Sequence, residues 1–201
     1  MSDARLLMPS IRARLGAHRP ALVGEGESWR AAVALVFCAP PDAEPELLFI
    51  ERARREGDPW SGHMAFPGGR RDQKDADIAA TAARETREEV GLALGRPFAR
   101  LDDQSGNPRT STLGPLVISP FVYELRQRPL LAPNGEVQST VWIPVPWLVH
   151  PDAAAEVKFE RDSVQLAFPG VRFDRYTVWG LTYRILANLF GVLGVEFRPA
   201  A

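Results

Sequence analysis

Two linked motifs, Met64-Ala65-Phe66-Pro67-Gly68-Gly69 and Arg84-Glu85-Thr86-Arg87-Glu88-Glu89-Val90-Gly91-Leu92, decide the reading of this 201-residue chain. The first is a short strand stopped by Pro67-Gly68-Gly69. The second ends a helix predicted over about Ala76–Val90, with Asp75 as N-cap, Asp77 in the first turn and Gly91 as the C-terminal stop. Its apolar face is Ala79, Ala83, Thr86 and Val90, small enough for close packing on a sheet, and the acids point in another direction. Glu85, Glu88 and Glu89 sit three and four residues apart or adjacent, where like charges cost roughly 0.2–0.5 kcal/mol per pair. They also occupy the final turns, where the helix dipole favours cations. A divalent metal is the natural compensation.

Strands are predicted on both sides. Trp29–Ala39 and Glu46–Arg52 are apolar runs separated by Ala39-Pro40-Pro41-Asp42-Ala43-Glu44-Pro45, a turn that no helix or inner strand accommodates. Arg54–Gly62 reads as a loop, Leu116–Leu125 and Val137–Val145 as further strands, with loops at Asp102–Gly114 and Arg126–Gly135. Trp147 and Leu148 suggest a short packed turn or helix after Pro146. Residues 163–168 alternate at period two, and Pro169-Gly170 reads as a hairpin turn into Val171-Arg172-Phe173. A last helix spans Gly180–Val192, with Leu181, Ile185, Leu189 and Val192 at core spacing. Strands interleaved with two main helices give a mixed α/β layer fold in a single domain of residues 1–201. Its core covers about 29–193 and a helical extension covers 1–28, an amphipathic helix on Leu6, Leu7, Ile11 and Leu15.

With 24 basic and 25 acidic residues, a generally basic nucleic-acid surface is not expected. The lone Cys38 lies in an apolar run and reads as a buried strand thiol, which excludes an intrachain disulfide and a cysteine-based zinc site. No apolar stretch approaches the roughly 20 residues that span a bilayer. Four arginines by Arg19 resemble an organelle transit peptide only weakly, so the expected location is the cytoplasm.

The acids suit magnesium, which takes oxygen ligands and keeps several waters. Glu85 and Glu89 are expected to share one ion, assisted by Glu88, while Arg84 holds the Glu88 carboxylate four residues on. Gly69 is expected to bring its backbone carbonyl close to the metal. Ions so held orient water and neutralise diphosphate oxygens. A solvated helix laced with salt bridges is the rival reading, but it leaves the flanking glycines unexplained.

Gly69, Asp75 and the run Arg84–Leu92 resemble the Nudix box of Nudix hydrolases. Asp75 stands where the box has Glu, and eight residues rather than seven precede Arg84, a spacing similar to the coenzyme A diphosphatase branch. Leu47–Arg52, Met64–Gly69, Ile118–Val122, Glu136-Val137 and Val178–Thr182 also resemble that branch. The resemblance implies a Nudix fold, a mixed sheet between helices, and hydrolysis of a nucleoside diphosphate linkage dependent on Mg²⁺ or Mn²⁺. With coenzyme A as substrate it implies 3′,5′-ADP and 4′-phosphopantetheine as products. The branch's coenzyme A signature, His-x-Gly-Glu or Gln, is replaced by Trp60-Ser61-Gly62-His63, which leaves ADP-ribose, NADH or another nucleotide as alternative substrates. A nucleotide-sensing module without catalysis is a further alternative, opposed by the intact acids. A homodimer is compatible with the sequence.

Around this box, Trp60 fits either stacking on an adenine or closing a loop over the core. His63 fits a substrate contact or acid/base group, or a partly exposed structural ring. Arg52, Arg54, Arg55, Arg70 and Arg71 suit phosphate binding or a solvated rim. Glu136 follows Asn134-Gly135, where it suits activating the attacking water, binding a second metal, or serving as an ordinary turn acid. His18 and His150 lack metal-ligand spacing and read as structural or surface groups.

Overall fold

The computed structural model describes residues 3–24, 29–40, 43–57, 60–105, 116–161 and 164–197, with the side chains of 159–161 and 164–165 outside the description. Residues 41–42 of the expected turn, 106–114 of the expected loop and residue 163 of the expected alternating strand lie outside the described residues.

The apolar run at the start of the chain forms β1 (Trp29–Cys38), which pairs in parallel with β7 (Leu116–Leu125) from Trp29 opposite Leu116 to Cys38 opposite Leu125. Near its end β1 meets β2 (Glu46–Arg52), antiparallel, with Phe37 opposite Leu47. Its earlier part pairs with β4 (Gly68–Arg70), so that Ala32 lies opposite Gly69. The edges are β3 (Met64–Ala65) and β8 (Val137–Pro144) on β2, and β5 (Ala99–Arg100) and β6 (Gln104–Ser105) on β7. Among the described residues these strands form one eight-stranded mixed sheet.

Period-two alternation divides the core. Ala34, Val36, Leu48 and Ile50 face Ala82 and Val90 of α2 (Ile78–Val90). Leu35, Phe37, Leu47 and Phe49 face the opposite side, where α1 (Met8–Ala17) brings Ile11 and Leu15, and α4 (Gly180–Leu193) brings Ile185 and Leu189. Each such fully buried side chain contributes about 1.5–3 kcal/mol. The expected sheet between helices is thus observed. No helix among the described residues is long and apolar enough to cross a membrane.

Several local expectations are corrected. The N-terminal segment is a 3-10 turn (Ala4–Leu6) followed by α1, with Leu7 extended between them. Leu6, Ile11 and Leu15 are buried, but that break turns Leu7 outward. Helix α2 starts at Ile78 because Asp77, not Asp75, is its N-cap, accepting the Ala80 N–H at 2.8 Å. Its buried stripe is Thr81, Ala82, Thr86 and Val90 together with Glu89, so one acid shares the buried side. After β8, α3 is the short helix Val145–Leu148.

No strand is expected from the sequence over Ala154–Arg161, yet this segment forms β9, the edge of a second antiparallel sheet with β10 (Val164–Phe173) and β11 (Tyr176–Trp179). Pro169-Gly170 is not a turn: β10 runs through it, and the chain reverses after Phe173, where Asp174 has φ 51°. β11 stops opposite Gly170, so β10 has a neighbour on one side only at Pro169, a setting that tolerates proline.

Candidate active site

The C-terminal half of α2 lies beside β4, and two glycines permit that approach for different reasons. Gly68 has φ 153°, and a Cβ there would stand 2.2 Å from the Ala32 carbonyl oxygen. On Gly69 a Cβ would fall 2.5–2.6 Å from the atoms of the Glu85 carboxylate. The glycine-for-proximity expectation at Gly69 therefore matches the geometry, with Glu85 as the neighbour.

Glu89 is only 3% exposed, and the Gly68 N–H donates to its Oε2 at 2.9 Å. Burial pushes its pKa up to about 7; the Gly68 hydrogen bond and the Arg52 charge oppose that rise, while Glu85 and Glu136 reinforce it. Burial also raises the half-buried Glu85, against the pull of Arg84. Glu88 is exposed. The helix end itself is satisfied by the following loop. Gly91, left-handed at φ 71°, donates to the Arg87 carbonyl, Ala132 donates to Val90 and Asn134 to Glu89. This loop delivers Glu136, whose side chain is exposed and pairs with Arg55 at 3.1 Å.

Arg84 organises the acids. Its guanidinium grips Asp75 bidentately, Nε to Oδ1 at 2.9 Å and Nη2 to Oδ2 at 3.1 Å. Nη1 meets Glu85 at 2.9 Å and Glu88 at 3.0 Å, and Nη2 also donates to the Arg70 carbonyl at 2.9 Å. Asp75 is buried and accepts from Thr81 Oγ1 at 2.8 Å and from the Asp72 N–H at 2.9 Å. The Arg84 hydrogen bond holds its carboxyl far below the usual carboxylate range. Asp75 is therefore a positioning residue, a role the N-cap reading missed. The clue was its place in the motif, nine residues before Arg84. Asp75→Ala is expected to cost about 2–3 kcal/mol in urea unfolding, because Arg84 and Thr81 lose a partly buried partner. An unchanged midpoint would show that the pair is immaterial.

The structure brings Gly69, Arg84, Glu85, Glu88, Glu89 and Glu136 to one end of α2, with Arg52 near enough to Glu89 to act on its charge. The three other expected substrate contacts have ring neighbours or exposure of their own. The Arg70 guanidinium packs over the Trp29 ring at 5.3 Å. His63 packs on Trp179, ring centroids 4.6 Å apart. Trp60 lies 40% exposed on the loop. Among the described residues no three acidic, imidazole or thiol groups already converge as they do around a seated ion, since Arg84 draws Glu85 and Glu88 to itself. As a donor set, hard carboxylate oxygens beside a backbone stripped of side chains suit Mg²⁺ or Mn²⁺.

Comparison with known proteins agrees with this architecture. The NUDIX domain family matches residues 28–164. An uncharacterized Schizosaccharomyces pombe protein is 32% identical over 171 residues, 82% of this chain, and the chain spans half of that protein's length. The human mitochondrial coenzyme A diphosphatase NUDT8 is 31% identical over 180 residues, covering 89% of this chain and 71% of that protein. The crystal structure of a MutT/nudix family protein from Enterococcus faecalis shares the fold, with a TM-score of 0.52 and 16% identity over 86% of this chain and 70% of that one. With the family model matching residues 28–164, more than half of this chain, and a relative 31% identical of which 71% is covered, the chain belongs to the NUDIX family of hydrolases.

Proposed function

We propose that the protein hydrolyses the diphosphate linkage of coenzyme A or a derivative, giving 3′,5′-ADP and 4′-phosphopantetheine, and that residues 1–201 act as one catalytic unit. The observation that carries the reaction is the burial of Glu89 against Gly68, beside Glu85 and Gly69, under the ordering grip of Arg84. The substrate assignment is supported by the 31% identity to the human coenzyme A diphosphatase and by the eight-residue spacing before Arg84.

Glu85, Glu88, Glu89 and the Gly69 carbonyl would hold Mg²⁺ or Mn²⁺, which supplies charge neutralisation at the diphosphate and an oriented water. Arg84 keeps the carboxylates in register from below, and Asp75 keeps Arg84 in place. Arg52, whose charge acts on Glu89, carries a guanidinium that suits a phosphate oxygen. Glu136, exposed and close enough for its charge to act on Glu85 and Glu89, accepts the proton of the attacking water in this reading. The water oxygen joins one phosphorus, the bond from that phosphorus to the bridging oxygen breaks, and the bridge oxygen leaves with the other phosphate.

The assay is product release with Mg²⁺ from coenzyme A, acyl-coenzyme A, ADP-ribose, NADH and dinucleoside polyphosphates. The highest kcat/KM is expected for coenzyme A or its acyl form. A preference for ADP-ribose or NADH would replace the substrate assignment, and no turnover of any compound would favour a nucleotide-sensing module.

A further inference from the structure

Arg55 and Glu136 meet through side chains that project from two pinned backbones. Arg55 Nη2 donates to Glu136 Oε1 at 3.1 Å. The Arg55 N–H donates to Ser61 Oγ at 2.8 Å, and the Ser61 hydroxyl donates back to the Arg55 carbonyl at 2.8 Å. The root of this loop is closed by the Gly62 N–H on the Arg52 carbonyl at 3.1 Å and the Arg52 N–H on the His63 carbonyl at 3.0 Å. On the other side, the Glu136 N–H donates to Asn134 Oδ1 at 2.8 Å. The Glu136 carbonyl accepts the Ala53 N–H at 2.8 Å, which stitches the two loops together by their backbones. The ion pair therefore opens by side-chain rotation alone.

Little holds the pair shut. Its side chains are 56% and 54% exposed, and exposed pairs of this kind add little to stability. Among the described residues it rests on one hydrogen bond from the guanidinium. A phosphate group accepts two parallel N–H bonds from the same fork and so competes well for it.

The pair also stands beside the reacting groups. The charge of Glu136 acts on Glu85 and Glu89, and Arg52, whose charge acts on Glu89, lies three residues before Arg55. A diphosphate seated at these acids brings its anionic oxygens within the range of the Arg55 side chain. Once the guanidinium turns to them, the Glu136 carboxylate is left without its ion pair.

We propose that Arg55 is a latch exchanged by the substrate. It holds Glu136 in the empty site, then moves to a phosphate oxygen of the bound diphosphate and leaves the Glu136 carboxylate to the attacking water. Arg55 is thus a binding residue for the diphosphate and a positioning residue for Glu136. This rests on the hydrolysis proposed above with Glu136 as proton acceptor, and not on which nucleotide is cleaved.

The test is a double-mutant cycle on the 201-residue chain. Its probe is α,β-methylene-ADP, whose P–C–P bridge resists hydrolysis, titrated by calorimetry with Mg²⁺. Arg55→Ala is expected to weaken binding about tenfold, as loss of a charge-assisted contact does, and Arg55→Lys to weaken it less. Glu136→Gln is expected to tighten binding about threefold, because Arg55 no longer leaves a carboxylate to reach the phosphate. In the Arg55→Ala background the same change is expected to bring no gain. Simple relief of repulsion between Glu136 and the ligand would tighten binding in both backgrounds, so a gain that persists without Arg55 overturns the latch. Unchanged binding in Arg55→Ala, or no gain from Glu136→Gln, overturns it equally. In turnover, Arg55→Ala is expected to raise KM about tenfold with kcat within about twofold and the urea midpoint unchanged. A kcat that falls together with the midpoint would make Arg55 merely structural and overturn its role. Because the probe lacks the pantetheine arm, an intact cycle without coenzyme A turnover removes that substrate and supports the latch. Coenzyme A turnover with an additive cycle removes the latch and leaves the substrate in place.

Discussion

Glu89→Gln is expected to lose about 10³-fold or more of metal-dependent turnover while stabilising the metal-free protein at pH 8. Both effects have one cause. Glu89 is a buried carboxylate whose pKa in the folded chain is pushed up to about 7 from an ordinary 4.5, chiefly by burial. An acid with a raised folded pKa is held protonated by the fold where the unfolded chain has already ionised. The metal-free protein therefore loses stability as pH rises from about 4.5 to about 7, by up to about 3 kcal/mol, and changes little from this group above that. Glutamine keeps an oxygen for the Gly68 N–H, at 2.9 Å in the wild type, but removes the charge. Urea unfolding in EDTA at pH 5 and pH 8 should show a smaller loss for the variant. Equal losses in the two proteins would mean that the Glu89 charge is already well compensated without metal.

Gly68→Ala is expected to cost about 3 kcal/mol or more and to lower activity with it, the larger of the stability effects considered. At φ 153° the backbone lies where L-residues rarely go. The new methyl group would meet the Ala32 carbonyl oxygen at 2.2 Å and the Val33 Cα at 2.6 Å, both on β1 at the centre of the sheet. Neither atom belongs to a flexible side chain, so β4 has to move. Movement of β4 displaces the N–H that holds Glu89, which couples the fold defect to the chemistry. Gly95→Ala serves as the control, since nothing lies within 4 Å of its added methyl. Chemical denaturation of the two variants should separate them clearly; similar midpoints would refute the tight β4–β1 approach.

How much of this was legible in the sequence depended on whether local pattern or distant packing fixed the feature. β1, β2, β7 and β8 are apolar runs bounded by breakers, and α2 and α4 carry their own periodicity and left-handed C-terminal glycines. Their positions followed from the chain. The burial of Glu89 did not, because helix spacing places it with Glu85 and Glu88 while the neighbouring β4 decides which of the three loses water. Asp75 has a good N-cap side chain, but Arg84, a turn and a half into the helix, competes for it and wins through two parallel hydrogen bonds. Pro169-Gly170 carries a strong turn signal, yet β9 holds β10 in line through it and β11 joins at Gly170. β9 itself mixes Glu156 and Lys158 with small apolar residues, so its pairing with β10 is what makes it a strand.

Product analysis of coenzyme A incubated with the protein, with and without Mg²⁺, tests the central claim most directly. The account predicts 3′,5′-ADP and 4′-phosphopantetheine in equal amounts with Mg²⁺, none in EDTA, and none above background from Glu89→Gln under either condition. Undiminished cleavage in EDTA, or full activity in Glu89→Gln, would contradict it.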